Sequence, residues 1–236
     1  MEFHQHYSGS KGNLYTVEHD GHVLIIDPGV CWRDTRKVID SAFIVDGCLV
    51  THGHKDHCKS AAKVMMEGIP VYASAGTIDK MAIPSCVEIV DDTVINIGPF
   101  NVFPFETTHD CEGSLGFVIE CGNEAMLFAT DTYDIHQDFF SVFDVIAIEC
   151  NHDLAIIQQR VDNCDMHQGL AERVAGSHMD IGRTIDYLTK ECLVDECREL
   201  HLLHPSADNL DKEDARLRVH MATGIEPIFC GDEANG

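Results

Sequence analysis

A layered α/β fold is predicted by three observations. Short β-rich segments recur along the chain, helical patterns lie between and after them, and several strands are apolar at successive positions, as in "LFAT" at 127–130 and "DVIAIE" at 144–149. A strand that is apolar on both faces must be covered on both faces, which calls for further layers around it.

Taken in order, "SGSKGN" at 8–13 gathers Gly, Ser and Asn and reads as a tight turn between two strands. It lacks the G-x-x-x-x-G-K-[ST] spacing of a phosphate-cradling loop. Strands follow at 22–26 and 42–50, with a helix at 34–40 between them. A helix at 60–67 is ended by Gly68, and strands at 71–73, 87–90 and 94–97 carry alternating or β-branched apolar residues. The segments 116–120, 125–130 and 145–149 complete the strand-rich part. Helices are predicted at 166–175, at 184–197, and at 212–222 ended by Gly224. There is no fixed short repeat, low-complexity tract or linker, so 1–236 reads as a single domain, and a pseudo-duplicated sandwich is compatible with strands followed by helices in both halves.

With 40 acidic against 16 basic side chains the formal charge is −24, which opposes contact with polyanions unless bound cations or a local patch intervene. No basic nucleic-acid groove is visible in the sequence. The start "MEFHQHYSGS" lacks the basic and apolar regions of a secretory signal, and no apolar run reaches the roughly 20 residues of a membrane-spanning helix, so a cytoplasmic protein is expected. Eleven cysteines with no C-x-x-C pair fit reduced thiols rather than a disulfide framework.

The chemistry is concentrated in "THGHKDH" at 51–57, directly after an apolar strand. His52 and His54 are two apart in an extended segment, so their rings project to one side and can pinch one cation. Asp56 and His57 sit at the entrance of the helix near Ser60 and approach from another direction. A pair of metals needs more donors than one loop supplies, and His109, Asp131 and His204 each stand where a strand empties into a loop.

In this order the residues resemble the metallo-β-lactamase superfamily, whose pattern is H-x-H-x-D-H, a lone His, an Asp and a C-terminal His. The resemblance implies a metallo-β-lactamase-type αββα four-layer sandwich with the site along one edge of the sheets. It implies that His52, His54 and His109 hold a first metal and Asp56, His57 and His204 a second, with Asp131 bridging them. True β-lactamases carry a cysteine at the position of Asp131 and usually an export signal, so antibiotic hydrolysis is not expected. The motifs "SGSKGN", "IECNHD" at 148–153 and "LLHPSADN" at 202–209 are similar to those of the YycJ (WalJ) family, relatives of ribonuclease Z. Ser10, Asn13, Ser206 and Asn209 in these motifs are the expected substrate contacts. The order of Glu149, His152 and His178 is similar to the proton-relay region of ribonuclease Z-like enzymes, with His178 the first choice of general acid and His152 the second. After Asp56-His57 the chain departs from the family, reading "CKSA" where a glycine usually stands near the start of the helix.

The reaction expected is phosphodiester hydrolysis by a hydroxide bridging two divalent metals, with zinc the first choice and manganese, iron or cobalt also suited to a His/Asp donor set. The family implies nucleic-acid ends, as for an exonuclease, or nucleotides as substrate. A cyclic nucleotide, thioester or lactone hydrolase is the alternative, and a non-catalytic metal-binding protein a third reading. A homodimer is the assembly that the ribonuclease Z likeness suggests, and no membrane partner is expected.

Overall fold

The computed structural model describes residues 1–42, 44–137, 139–190, 192–194 and 196–231. The fold is mixed α/β, with sheets and helices in each of two compact units. The first comprises residues 1–106 and 111–125, and the second residues 107–110 and 126–236.

In the first unit, β1 (Glu2–Tyr7), β2 (Leu14–His19) and β3 (His22–Ile26) run antiparallel. The sheet continues in parallel through β4 (Ile44–Leu49), β5 (Val71–Ala73) and β6 (Val87–Glu88). Between these strands lie α1 (Trp32–Ser41), α2 (Lys55–Cys58), α3 (Ala61–Met66) and α4 (Ala75–Met81). Their apolar sides close on Leu14, Ile25, Cys48, Val50, Ala61, Val64 and Val71. An antiparallel set follows: β7 (Ile95–Ile97), β8 (Phe100–Glu106) and β9 (Leu115–Cys121). The turn at 8–13 joins β1 to β2 as expected, closed by Gly12 N–H donating to Gly9 O at 2.9 Å.

The helix predicted at 60–67 is α3, and a further one-turn helix, α2, precedes it. The chain breaks at Ser60, whose N–H donates to Pro28 O at 2.8 Å and whose hydroxyl donates to Val30 O at 2.7 Å. Those bonds pin the junction and leave Asp56 and His57 on the one-turn α2, not at the start of the longer helix. Helix α4 was not legible in the sequence. It is set by Ser74, whose Oγ accepts from Thr77 N–H, and it ends at Ala82 in the left-handed conformation.

The second unit is a parallel sheet. β10 (Glu124–Ala129) enters it at Met126 and pairs with β12 (Val145–Glu149), which pairs with β14 (Glu199–Leu203), which pairs with β15 (Pro227–Phe229). β12 is buried at every position, in accord with its unbroken apolar run. A small pair, β11 (Phe139–Val142) and β13 (Cys192–Leu193), stands apart from it. Helices α5 (Leu154–Asp162), α6 (Gln168–Ser177), α7 (Ile181–Lys190) and α8 (Lys212–Thr223) complete the unit. Asp211 caps α8 by accepting from Glu213 and Asp214 N–H, and Gly224 ends it at φ 77°. The helix predicted at 184–197 stops at Lys190, because residues 192–193 pair as a strand instead. The ten cysteines whose side chains are described are free thiols. Among the described residues no helix is long and apolar enough to cross a membrane.

Candidate metal centre

The first donor set belongs to the loop between β4 and α2. His52 Nδ1 lies 3.0 Å from Thr51 Oγ1, and Thr51 Oγ1 donates to Asp27 Oδ2 at 2.8 Å. With its proton committed to Asp27, the Thr51 oxygen accepts from His52 Nδ1–H, which leaves the lone pair on His52 Nε2. That nitrogen lies 3.1 Å from His54 Nδ1. Two imidazole nitrogens at that distance share a proton, and the same pair could close on a cation.

Asp27 also accepts from Thr51 N–H at 2.8 Å and from His57 Nδ1 at 2.7 Å. It is fully buried, follows β3 directly, and holds a left-handed backbone at φ 53°. A carboxylate behind an imidazole fixes the tautomer and orients the other nitrogen, as outer partners do at metal sites. The next corner is equally constrained: a Cβ on Gly29 would collide with the carbonyl of Asp56. Sequence reasoning missed Asp27. Its signal was "LIIDPG", an Asp closing an apolar strand before Pro-Gly.

Asn13, expected at a rim in contact with substrate, is fully buried instead. Its Oδ1 accepts from Gly9 N–H and from the Tyr15 hydroxyl, both at 2.9 Å, which turns Nδ2 to His57 Nε2 at 2.9 Å. Asn13 is therefore a positioning residue that holds the second nitrogen of His57, and a cation at that atom would require the amide to yield. Ser10 is exposed.

The second donor set is built by the parallel strands, whose carboxyl ends collect the chain exits along one edge of the sheet. Asp131 follows β10, Glu149 ends β12 and His204 follows β14. Asp131, Glu149, His178 and His204 each present a ligating atom, all within 4.8 Å of one another. Asp131 and His204 hold left-handed backbones at φ 46° and 51°. His204 Nδ1 lies 3.7 Å from Asp131 Oδ1, 3.5 Å from Glu149 Oε1 and 3.1 Å from the Asn151 amide.

Glu149 is fully buried, and its Oε2 accepts from Thr132 N–H at 2.7 Å and Met179 N–H at 3.1 Å. Its Oε1 meets His178 Nδ1 at 2.7 Å. Burial works against charge on either partner, but the attraction between them wins: the Glu149 carboxyl is held below its ordinary value and the His178 ring is raised to about 9. That attraction favours the imidazolium form of His178, with Nδ1–H given to Glu149. His152, the second choice of acid, is fully buried, and neither ring nitrogen has a hydrogen-bond partner among the described residues. Burial lowers its pKa and favours the neutral ring, which is a poor proton donor.

His109 belongs to the same unit. Its Nδ1 donates to Ser177 O at 2.8 Å, and its Nε2 lies 3.2 Å from Asp110 Oδ1. Ser206 is half-buried, its N–H given to Asn151 O. Asn209 is buried, with its side-chain oxygen accepting from Arg160 and its carbonyl from Asp153 N–H, a structural role in place of the substrate contact expected of it.

The profile of the β-lactamase superfamily domain matches residues 22–191, most of the chain. The chain belongs to the β-lactamase superfamily. Superfamily relatives include the exodeoxyribonuclease YycJ of Bacillus anthracis, 26% identical over 90% of this chain and 85% of that protein. Ribonuclease J of Corynebacterium glutamicum is 23% identical over 93% of this chain, which spans about a third (33%) of that longer protein. Among solved structures, the metallo-β-lactamase fold protein YhfI of Bacillus subtilis superposes with a TM-score of 0.73 at 16% identity, covering 96% of this chain and 95% of that one. The superfamily fold implies divalent metal ions, and the clustered atoms fit them by their chemistry: imidazole nitrogens and carboxylate oxygens with backing groups that fix tautomers, His178 being the ring whose Nδ1 is turned to Glu149 instead.

Proposed function

We propose that the chain is a dinuclear metal-dependent phosphodiesterase acting on nucleic-acid ends or nucleotides, and that 1–236 works as one metallo-β-lactamase-fold domain. In this reading His52, His54 and His109 hold one cation, Asp56, His57 and His204 the other, and Asp131 is common to both. Zinc is the expected metal. Support comes from superfamily membership, from nuclease relatives and from the donor chemistry of each set.

When bound, such cations would lower the pKa of a water molecule toward roughly 7 and would offset charge on phosphoryl oxygens. The chain's own residues do the rest. Asp27 and Thr51 keep His57 and His52 in one tautomer, so no reorientation is needed during turnover. Asp131 orients the attacking water. His178 Nε2–H protonates the leaving alkoxide while Glu149 Oε1 retains Nδ1–H, a role worth about 10² to 10⁴ in rate. The single observation that carries the reading is the cluster of Asp131, Glu149, His178 and His204, with ligating atoms within 4.8 Å of one another at the ends of parallel strands.

The test is elemental analysis of the purified protein with a panel of bis-p-nitrophenyl phosphate, a cyclic nucleotide, end-labelled DNA and a thioester. Two equivalents of metal and chelator-sensitive hydrolysis of the phosphodiesters are expected. Bound metal with turnover of the thioester alone, or of nothing, overturns the proposal.

A further inference from the structure

A chain of charge −24 that acts on a polyanion needs a local cationic surface, and the first unit has one. Every arginine makes an ion pair or hydrogen bond, as do Lys37 and Lys190. Lys55, Lys59 and Lys80 make none among the described residues. These three free ammoniums line a single cavity of about 680 Å³, with His54 of the metal loop at one side and Met81 and Ile83 as apolar wall.

The placement is built into the backbone. Lys55 opens α2 and Lys59 caps its end, four residues on, so both project from one face. The Lys80 stem from α4 lies on Gly53, the residue between His52 and His54, where any Cβ would collide with it.

We propose that this cavity is a strand-binding subsite, in which Lys55, Lys59 and Lys80 take successive phosphates of a single-stranded nucleic acid whose scissile bond lies at the metal loop. The inference rests on the phosphodiester reading above and deepens it: the preferred substrate is a polymer, not a small ester. The apolar wall accepts a sugar or base edge, and the lysines contribute sequence-independent affinity through counterion release.

The experiment is fluorescence anisotropy of a labelled single-stranded oligonucleotide with cleavage-resistant phosphorothioate links, titrated with metal-loaded protein across a salt series. Lys→Met keeps each aliphatic stem and removes its charge. The Lys59→Met/Lys80→Met variant is expected to bind about tenfold more weakly at low salt, with a log K against log[salt] slope reduced by about 0.7 per lysine. Lys63→Met, an exposed lysine of α3 outside the cavity, is expected to bind as the native chain does. Thermal melting of each variant checks the fold. Native-like binding by the double variant overturns the inference, and so does an equal loss in Lys63→Met, which would mean that only total charge matters. Turnover of bis-p-nitrophenyl phosphate separates the two readings. Hydrolysis without strand binding removes the subsite alone, whereas lysine-dependent binding without hydrolysis of any diester removes the phosphodiesterase reading and leaves the subsite standing.

Discussion

The two donor sets reach similar chemistry by different routes. In the first unit the donors His52, His54, Asp56 and His57 come from one short loop, held by a carboxylate that closes the neighbouring strand. In the second, Asp131, Glu149, His178 and His204 are brought together by parallel strands and the C-terminal end of α6. Each set nonetheless contains a fully buried carboxylate that meets an imidazole Nδ1 at 2.7 Å: Asp27 with His57, and Glu149 with His178. The first pair shares its acid with the backbone and a threonine and serves to orient. The second places its ring beside Asp131 and Asp110 and, in the proposed reaction, serves to store a proton. A local motif and a topological one thus share an orienting device and differ in what the oriented nitrogen does.

The comparison breaks first at the common ligand. Asp131→Ala should lose metal and reduce turnover by more than the roughly 10- to 100-fold that loss of an outer partner costs, measured by metal analysis and diester hydrolysis. Asp27→Asn, which keeps the shape and removes the charge, should cost that 10- to 100-fold in metal affinity, and about 1–3 kcal/mol of stability in urea unfolding from weakened bonds to a buried charged acceptor. An Asp27→Asn protein with native affinity would reduce Asp27 to a packing role.

The proton-storing side is sharpened by pH. Glu149 raises the His178 value, so the charged acid is present below about 9 and is lost as pH rises through that point. Turnover of esters with poor leaving groups should fall on the alkaline side accordingly. In Glu149→Gln that limb should move down toward the ordinary histidine value of 6.5, while p-nitrophenyl esters, which need little protonation, move less. His178→Ala should slow alkyl esters more than p-nitrophenyl esters and keep its metal; equal slowing would remove His178 as acid. The smallest effect is expected of Thr51→Val, which breaks the link from His52 to Asp27 and should weaken metal binding by about tenfold or less, read by competition with a chromogenic chelator.

The loop motif was legible because its information is local: spacing in an extended segment dictates direction, and His52 and His54 meet as that spacing requires. Asp131 and His204 were legible as polar residues at the ends of apolar runs. Asp27 was not, since its role depends on β3 lying beside β4, a pairing no short-range pattern encodes. The same holds for Asn13 and Asn209, whose motifs suggested a rim and whose tertiary neighbours bury them. Helix α4 has a weakly periodic sequence and is fixed by its Ser74 cap, and residues 192–193 pair as a strand where a helical pattern was read. The cationic cavity was invisible for a related reason, because Lys80 reaches the metal loop only through the fold.

Three corners of the molecule, Asp27, Asp131 and His204, turn with a positive φ that side chains other than glycine, asparagine and aspartate adopt at a penalty of about 1–3 kcal/mol. Two of the three are aspartates, which suit the turn and carry the chemistry together, and only His204 holds it at a cost. A library selected for turnover should therefore keep the imidazole at 204 even though other residues suit that backbone better.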